Sequence, residues 1–295
     1  MLVPQKGRAE REQLDLFRAL PGEMAARDAQ DLMAYPFFSL AKSKRTVPID
    51  FRTASVAVRV EGTAEHGLAT IWDADVLIWA ASQIVEARDA GIRSSRLMAA
   101  TPYEILRFIG RGTSLRDYQR LKAALDRLQS TSVATSIRQA TARRLHRFSW
   151  INEWTERADG QGRPLGIELI LPDWFYTGVL DESLVLTIDA NYFQLTGGIE
   201  RWLYRLVRKH GGWQRAGWRF DFAHLYRKSG SLARFTDFAC DLRRIVARQP
   251  LPGYTLAILR PRHGPELLTF RALLSAAPLP LGGSVGAGAL PVEKR

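Results

Sequence analysis

The chain has 295 residues, of which 46% are hydrophobic and 24% charged, a composition typical of a globular protein with one large or two ordinary domains. Lysine and arginine outnumber aspartate and glutamate by 42 to 30, and the net charge of +12 favours a polyanionic partner, nucleic acid before an anionic membrane. One cysteine excludes an internal disulfide framework. Because the sequence has neither an apolar run of about 18 residues nor a signal peptide, we expect a cytoplasmic protein with no membrane span.

The basic residues are concentrated in two blocks. Residues 93–163 contain 14 basic and 6 acidic side chains, and residues 200–262 contain 14 and 4. The segment between them, residues 164–199, has five acidic side chains and no lysine or arginine. This distribution favours two nucleic-acid-binding modules joined by a spacer, although uneven charge also arises by chance in a basic protein.

The first elements along the chain are an arm, a strand and a helix. Residues 1–45 are interpreted as a polar N-terminal arm with one or two short helices, and they include a basic cluster at Lys42, Lys44 and Arg45. Alternating valines in SVAVRV predict a half-buried strand. The stretch WDADVLIWAASQIVEARDAG has the spacing of a helix that begins at an Asp73 N-cap and stops at Gly91.

Two further helices and three strands follow. Thr101 and Glu104 form the capping-box pattern of one helix, and residues 114–129 predict the next. SVATSI, LHRFSWINEW and LGIELIL then predict strands, the second of them a single strand with alternating aromatic side chains on one face. Three helices followed by antiparallel strands is the order of a winged helix-turn-helix module.

The second half of the chain repeats this plan. LTIDANYFQLTGGIERWLYRLVRKHGG, FDFAHLYRKSG and ARFTDFACDLRRIVARQ predict three helices, and YTLAILRPRHGPELLTFRAL predicts a hairpin. An offset of 120 residues aligns like with like at five positions: Arg107 with Arg227, Gly110 with Gly230, Asp117 with Asp237, Tyr118 with Phe238, and Leu125 with Ile245. These matches indicate an internal duplication.

We therefore predict an α+β protein with two tandem, pseudo-duplicated winged helix-turn-helix domains. The predicted boundaries are an N-terminal arm at 1–45, a first domain at 46–180, a second domain at 181–272 and a disordered C-terminal tail, rich in proline and glycine, at 273–295.

The helix at 114–129 is the first candidate for reading DNA. Leu115, Tyr118, Leu121, Leu125 and Leu128 fall within one arc, which predicts the core face. The opposite side carries Arg116, Gln119, Arg120 and Arg127. Arginine can pair with guanine through two hydrogen bonds, and glutamine can do the same with adenine. The alternative is an ordinary core helix whose arginines face the solvent.

The second unit offers a matching helix. Phe235, Phe238, Leu242 and Ile245 predict its buried stripe, and its polar side carries Arg234, Thr236, Arg243, Arg244 and Arg248. The predicted wing contacts with phosphates or the minor groove are Arg138, Arg143, Arg144 and Arg147 around the first hairpin and Arg262 at the second.

The sequence lacks the motifs of the enzymes that act on DNA. It has no G-x-x-x-x-G-K-[ST] motif, and its five histidines are scattered, without the spacing of a metal site. Its two acidic pairs, Asp73 with Asp75 and Asp181 with Glu182, are explained by helix capping and a polar turn. We therefore predict no enzymatic activity, no catalytic residue, no metal and no cofactor.

Seven stretches closely resemble the replication initiator protein A family of bacterial plasmids. They are RDAQDLMAYPFFSLAKSKR, HGLATIWDADVLIWAASQIVEARDAG, SRLMAATPYEILRFIGRG, YQRLKAALDRLQSTSVATSIR, RFSWINEW, GIELILPDWFYTGVL and LTGGIERWLYRLVRKHGG. The resemblance covers about residues 27–272 and is looser over 210–250.

This resemblance implies a plasmid replication initiator that binds repeated origin sites in double-stranded DNA through two winged helices. It further implies opening of the adjacent duplex, with the host replicative helicase and a host initiator protein as partners, and homodimers of some members that repress their own gene. No individual site residue follows from it. The alternatives are a dimeric winged-helix transcriptional repressor without initiator activity, and a primase or nuclease with an unrecognised carboxylate site.

Overall fold

The computed structural model describes residues 14–141, 143–211 and 217–273. Within these ranges the helices are α1 (Gln30–Ala34), α2 (Ala74–Asp89), α3 (Pro102–Phe108), α4 (Leu115–Ser130), α5 (Asp173–Leu180), α6 (Gly198–Gly211), α7 (Phe222–Ser229) and α8 (Phe235–Arg248). The strands are β1 (Leu16–Arg18), β2 (Arg27–Ala29), β3 (Ile49–Arg52), β4 (Ala57–Glu61), β5 (Leu97–Ala100), β6 (Ser132–Thr135), β7 (His146–Ser149), β8 (Glu153–Ala158), β9 (Pro164–Ile170), β10 (Val185–Thr187), β11 (Trp218–Asp221), β12 (Tyr254–Leu259) and β13 (Leu267–Ala272). The predicted mixed α+β class is confirmed.

A first unit consists of α2, β5, α3, α4 and the β8–β9 hairpin. Strand β9 pairs antiparallel with both β5 and β8, and β1 joins the other edge of β5 in parallel, which gives the order β1-β5-β9-β8. Helix α3 begins at the predicted capping box of Thr101 and Glu104. A second capping box, formed by Ser114 and Asp117, begins α4. These local hydrogen bonds fix where both helices start.

A second unit consists of α6, β11, α7, α8 and the β12–β13 hairpin. Its sheet has the order β11-β13-β12, which corresponds to β5-β9-β8 in the first unit. Helices α7 and α8 each begin 120 residues after α3 and α4. Gly110 and Gly230, which end the shorter helices of the two units, both have left-handed φ values, of 65° and 60°. The repeated order of elements agrees with the duplication predicted from the sequence.

The prediction of one strand over LHRFSWINEW is wrong, because the run is divided between two sheets. Strand β7 pairs with β6 in the sheet β3-β4-β6-β7, and β8 pairs with β9 in the first unit. Trp150 and Ile151 lie at the corner between the two strands and are fully buried. Alternation of apolar residues continues through the corner, so the periodicity alone does not reveal it.

The prediction of a polar arm is wrong for residues 14–45. Strand β1 pairs with β5, β2 pairs antiparallel with β10, and Phe37 and Phe38 lie in the core. Residues 1–13 of the predicted arm, and residues 274–295 of the predicted tail, lie outside the described residues.

Helix α6 joins the two units. Its buried side chains include the charged residues Arg201 and Arg205 as well as an apolar stripe. Arg205 pairs with Asp28 of β2 at 2.6 Å, and Arg201 pairs with Asp75 of α2 at 2.7 Å. The buried apolar residues of both units form one continuous cluster. The two predicted domains therefore share a core.

Three side chains differ from their predicted local roles. Leu115 and Phe235, assigned to core faces, are 76% and 44% exposed. Each is the first residue of its helix, where the helix extends past the core. Asp73 precedes α2 but makes no capping hydrogen bond, because its carboxylate accepts from Thr70 and Arg127 instead.

Candidate nucleic-acid interface

Helix α4 presents a ridge of polar side chains to the solvent. Arg116 and Gln119 are exposed, and the Arg120 side chain is 58% exposed with its guanidinium 3.5 Å from the Asp117 carboxylate. These are three of the four residues that the sequence placed on the polar side. The structure therefore keeps them available on one surface, as a reading helix requires.

Different parts of the first unit hold the two sides of this ridge. On one side, Lys122 Nζ lies 2.6 Å from the Glu156 carboxylate of β8, and the Trp154 indole donates to Asp126 at 3.2 Å. On the other side, Arg120 lines a cavity together with residues of the loop 40–46. Helix α4 is thus bordered by the β8–β9 hairpin on one side and by this loop on the other.

Arg127, the fourth predicted residue of this helix, is directed at the protein. Its Nε and Nη2 donate to both oxygens of Asp73 at 2.8 and 2.7 Å, and the side chain is 27% exposed. The hydrogen bonds with Asp73 raise the pKa of Arg127. This geometry gives Arg127 the role of fixing α4 to the start of α2.

The residues assigned to the first wing flank the antiparallel pair β6–β7, not the β8–β9 hairpin of the first unit. Arg138, Arg143 and Arg144 lie in the connection between β6 and β7, Arg147 lies on β7, and the last three are exposed. Arg138 has a 25% exposed side chain that stacks 3.8 Å above the Trp174 ring and pairs with Asp31 at 3.2 Å. Arg138 is thus held by protein contacts, and the assignment of Arg143, Arg144 and Arg147 as DNA contacts stays a prediction.

Helix α8 exposes the polar set predicted for the second unit. Arg234, Thr236, Arg243, Arg244 and Arg248 are all exposed. Each of the four arginines has a carboxylate partner. Arg234 pairs with Asp237 at 2.9 Å, Arg243 with Glu266 at 2.5 Å, Arg244 with Asp241 at 3.4 Å and Arg248 with Glu200 at 2.5 Å. The pairs of Arg234, Arg243 and Arg244 lie at the surface and contribute only about 0–1 kcal/mol each, so phosphate can replace these three carboxylates at little cost, whereas the Glu200 partner of Arg248 is only 6% exposed.

The second hairpin is tied to this helix. Glu266, just before β13, accepts from Arg243 of α8 and from Arg260 at 2.7 Å. The two guanidinium groups lower the pKa of Glu266 and so keep it ionised. Arg262 lies exposed at the hairpin tip, where the sequence placed it.

Two lysines near α4 were not among the predicted contacts. Lys42 and Lys44 are exposed in the loop 40–46 and line the cavity beside Arg120. The basic cluster was visible in the sequence, but its place beside α4 depends on contacts between distant parts of the chain.

The described residues contain neither a metal-binding cluster nor a membrane-spanning helix. No group of three or more histidine, cysteine, aspartate or glutamate side chains there is arranged to hold a metal ion. None of the helices in the described ranges is long and apolar enough to cross a membrane.

Residues 27–256 match the family model described as Replication initiator protein A. The chain belongs to the replication initiator protein A family. The resemblance seen in the sequence is thereby confirmed. A protein of Wigglesworthia glossinidia brevipalpis that carries the name "Putative replication protein" is 31% identical over 228 residues, and the match covers 76% of this chain and 82% of that protein.

Solved structures share the fold of this replication initiator protein A family member. A crystal structure of domains 2 and 3 of RctB aligns with a TM-score of 0.59 at 13% identity and covers 82% of this chain and 98% of its own. A second structure of RctB domains 2–3 aligns with a TM-score of 0.53 at 12% identity and covers 80% and 94%. At such low identity these structures are evidence for the fold alone.

Proposed function

We propose that this family member binds repeated origin sites in plasmid DNA through two tandem winged helix-turn-helix modules. The observation that carries the proposal is the repeated order of helix, strand, two helices and hairpin, with an exposed, arginine-bearing helix at the same place in each unit. In a chain of a replication initiator family, the substrate that fits two such helices is double-stranded DNA.

Helices α4 and α8 are the proposed reading helices. Arg116, Gln119 and Arg120 on α4 face the bases of one half-site, and Thr236, Arg243 and Arg244 on α8 face those of the other. Two modules on one face of the duplex engage half-sites about 34 Å apart. Arg234, Arg248 and Arg262 lie at the margins of the second module, where they contact phosphates.

Family membership also supports later steps at the origin. We propose that the bound protein promotes opening of the adjacent duplex and recruits the host replicative helicase together with a host initiator protein. A homodimer that represses its own gene is part of the same proposal. The protein itself acts as a binding protein and not as an enzyme, so DNA nicking or primer synthesis by the purified protein would contradict it.

The direct test is a footprint on the DNA that flanks the gene, carried out at several salt concentrations. With about 4–6 phosphate contacts in each module, the logarithm of affinity should fall against the logarithm of salt with a slope of roughly −7 to −11. A shuffled sequence of the same composition is the control. Equal affinity for the two DNAs, or a slope near −2, would remove the proposal.

A transformation assay separates the initiator from the repressor. An origin fragment on a vector that cannot replicate should be maintained when this gene is supplied in the same cell. If the fragment is bound in the footprint but never maintained, the protein is a repressor of the same fold.

A further inference from the structure

A cavity of about 470 Å³ lies between the loop 40–46 and the exposed ridge of α4. Its walls include Lys42, Lys44, His66, Trp72 and Arg120. Two further arginines in the wall already have buried partners, since Arg111 pairs with Asp75 at 2.9 Å and Arg127 with Asp73 at 2.7 Å. Of the lysines and arginines that line this cavity, Lys42, Lys44 and Arg120 have no buried carboxylate partner, and Arg120 belongs to the proposed base-reading ridge.

The loop that carries the lysines is held at both of its ends. Before it, Ser39 forms a β-bridge with Thr70. The Ser39 amide donates to the Ala69 carbonyl and the Ile71 amide donates to the Ser39 carbonyl, both at 2.9 Å. At its other end, the buried Arg45 donates to three backbone carbonyls, those of Val47, Pro48 and Gly230, at 2.6 to 3.2 Å. Short, anchored loops lose little conformational entropy when they bind a ligand.

Within the loop, the two ammonium groups are held in place by the protein. Lys44 Nζ donates to the carbonyls of Ala64 and Glu65 at 3.0 and 3.4 Å, and Lys42 Nζ lies 5.3 Å from the centre of the Trp72 ring. Neither contact neutralises the charge. Lysine is a point charge without the planar fork of arginine, so it suits a phosphate better than a base edge.

We propose that Lys42 and Lys44 bind phosphate groups of the DNA strand that borders the major groove occupied by α4. The proposal rests on the proposed function. A helix in the major groove, which is about 12 Å wide, has one sugar–phosphate backbone on each side. The β8–β9 hairpin borders one side of α4, and the anchored basic loop borders the other, where it meets the second backbone.

This phosphate site belongs to the first unit alone. In the second unit, the segment that precedes α6 corresponds to the one that precedes α2 in the first. This segment contains no lysine or arginine over residues 164–199. Loss of the site should therefore weaken the half-site read by α4 before it weakens the one read by α8.

The experiment compares Lys42→Gln and Lys44→Gln with the wild-type protein on origin DNA and on shuffled DNA. Each phosphate contact contributes about 0.9 to the log–log salt slope, so each variant should reduce the slope by about 1 and the affinity about eightfold at 0.1 M salt. Both DNAs should be affected alike, with base preference unchanged. Lys44→Arg should keep the slope.

Arg93→Gln is the matched control. It removes one positive charge from a side chain that is 88% exposed and paired with Asp15, beyond the end of α2 and away from α4. Its slope should equal that of the wild-type protein. Far-ultraviolet circular dichroism and the thermal midpoint of each variant verify that it folds.

The outcomes separate this proposal from the proposed function. If the wild-type protein fails to prefer origin DNA but the lysine variants still reduce the slope, the reading function fails and the phosphate site stands. An unchanged slope in both lysine variants overturns the phosphate site. Calorimetric binding of inorganic phosphate or ATP at micromolar affinity, lost in Lys44→Gln, would assign the cavity to a free phosphate compound and overturn the DNA assignment.

Discussion

The arginines of the two proposed reading helices differ in what holds their guanidinium groups. Those of α8 each pair with a carboxylate. Arg116 of α4, by contrast, forms no ion pair with any described residue. Arg120 has only a 3.5 Å contact with Asp117. The first helix therefore presents its cations with less competition from the protein's own acids.

Substitution of Arg116 or Arg120 by alanine should relax base preference at one half-site. Loss of an arginine that bonds to a guanine costs about 1–3 kcal/mol, which corresponds to a decrease in affinity of roughly 5- to 150-fold. The measurement is binding to a panel of sites with single base changes, and Arg93→Ala serves as the control.

The corresponding changes in α8, Arg243→Ala and Arg244→Ala, should affect only the other half-site. Simultaneous loss of both half-sites would indicate misfolding and not loss of a contact. If binding to the whole panel is the same before and after the α4 substitutions, α4 does not read bases.

His210, near the end of α6, makes stability depend on pH. Its ring lies 5.1 Å from that of Phe220, and burial, with the charges of Lys228, Lys209 and His224, lowers its pKa to about 3 from 6.5. Between these values the unfolded chain binds a proton that the folded chain does not. The free energy of unfolding should therefore fall as pH decreases below 6.5, by up to about 1.4 kcal/mol per pH unit.

The variant His210→Phe removes this contribution and retains an aromatic ring. Urea unfolding at pH 7, 6 and 5 should show a weaker pH dependence for the variant than for the wild-type protein. The exposed His263, changed to glutamine, is the control. Identical pH dependence in His210→Phe and the wild-type protein would contradict the assignment.

Among the elements, the turns before α4 and α8 each contain a glycine with a positive φ. Gly110 and Gly230 both adopt the left-handed conformation, but their surroundings differ. A Cβ at Gly110 would meet atoms no closer than 3.7 Å, whereas at Gly230 it would lie 3.0 Å from Pro36 Cβ. The second turn is thus packed against the N-terminal segment, while the first is open.

Alanine at these glycines should destabilise the protein unequally. Gly110→Ala should lower the free energy of unfolding by about 1–2 kcal/mol because a left-handed residue with a Cβ is strained. Gly230→Ala should cost about 1 kcal/mol or more beyond that, since the neighbouring atoms must also move. Gly91→Ala, with a φ of 69° and no neighbour within 4 Å, is the control. Equal losses in all three variants would contradict this ranking.

The elements show which parts of the fold the sequence could predict. Helix α3 begins at the capping box that the sequence predicted, and α4 was located by its helical periodicity, so local patterns identified both. The pairing of β2 with β10 and the division between β7 and β8 depend on partners far away in the sequence, and no local pattern indicates them.

The same limit applies to the candidate site. Helical periodicity identified the ridge of Arg116, Gln119 and Arg120, because which residues share a helix face follows from spacing alone. It also included Arg127, which lies on the same side but bonds to Asp73. Lys42 and Lys44 come from a loop far from α4 in the sequence, so periodicity could not place them beside that helix.

In the whole molecule, ion pairs connect the two proposed reading helices through α6. Arg111, in the turn before α4, and Arg201 of α6 both pair with the fully buried Asp75, and the adjacent Glu200 pairs with Arg248 at the end of α8. Burial raises the pKa of Asp75, and the two guanidinium groups oppose this effect. The relative position of α4 and α8 is therefore built into the folded chain.

The variant Asp75→Asn should destabilise the whole chain. It leaves Arg201, which is 3% exposed, without a carboxylate, and an uncompensated buried charge costs about 3–5 kcal/mol. The backbone carbonyls of Phe193 and Leu195 still accept hydrogen bonds from the guanidinium, so we expect the lower end of this range.

The measurement is urea unfolding. Asp50→Asn, which breaks an exposed pair with Arg52, should cost less than about 1 kcal/mol, and equal losses in the two variants would contradict the role of Asp75.

The pairing of β2 with β10 and of Asp28 with Arg205 has a consequence for hybrid proteins. The proposed binding surface of the second unit lies in the C-terminal half of the chain, but its first helix is completed by residues 27–34. A chimera that takes the second unit from a relative with a different origin must therefore take this short N-terminal segment as well. Where the recipient has no acidic residue at the position of Asp28, the transplanted α6 would otherwise bury its arginine without a carboxylate partner.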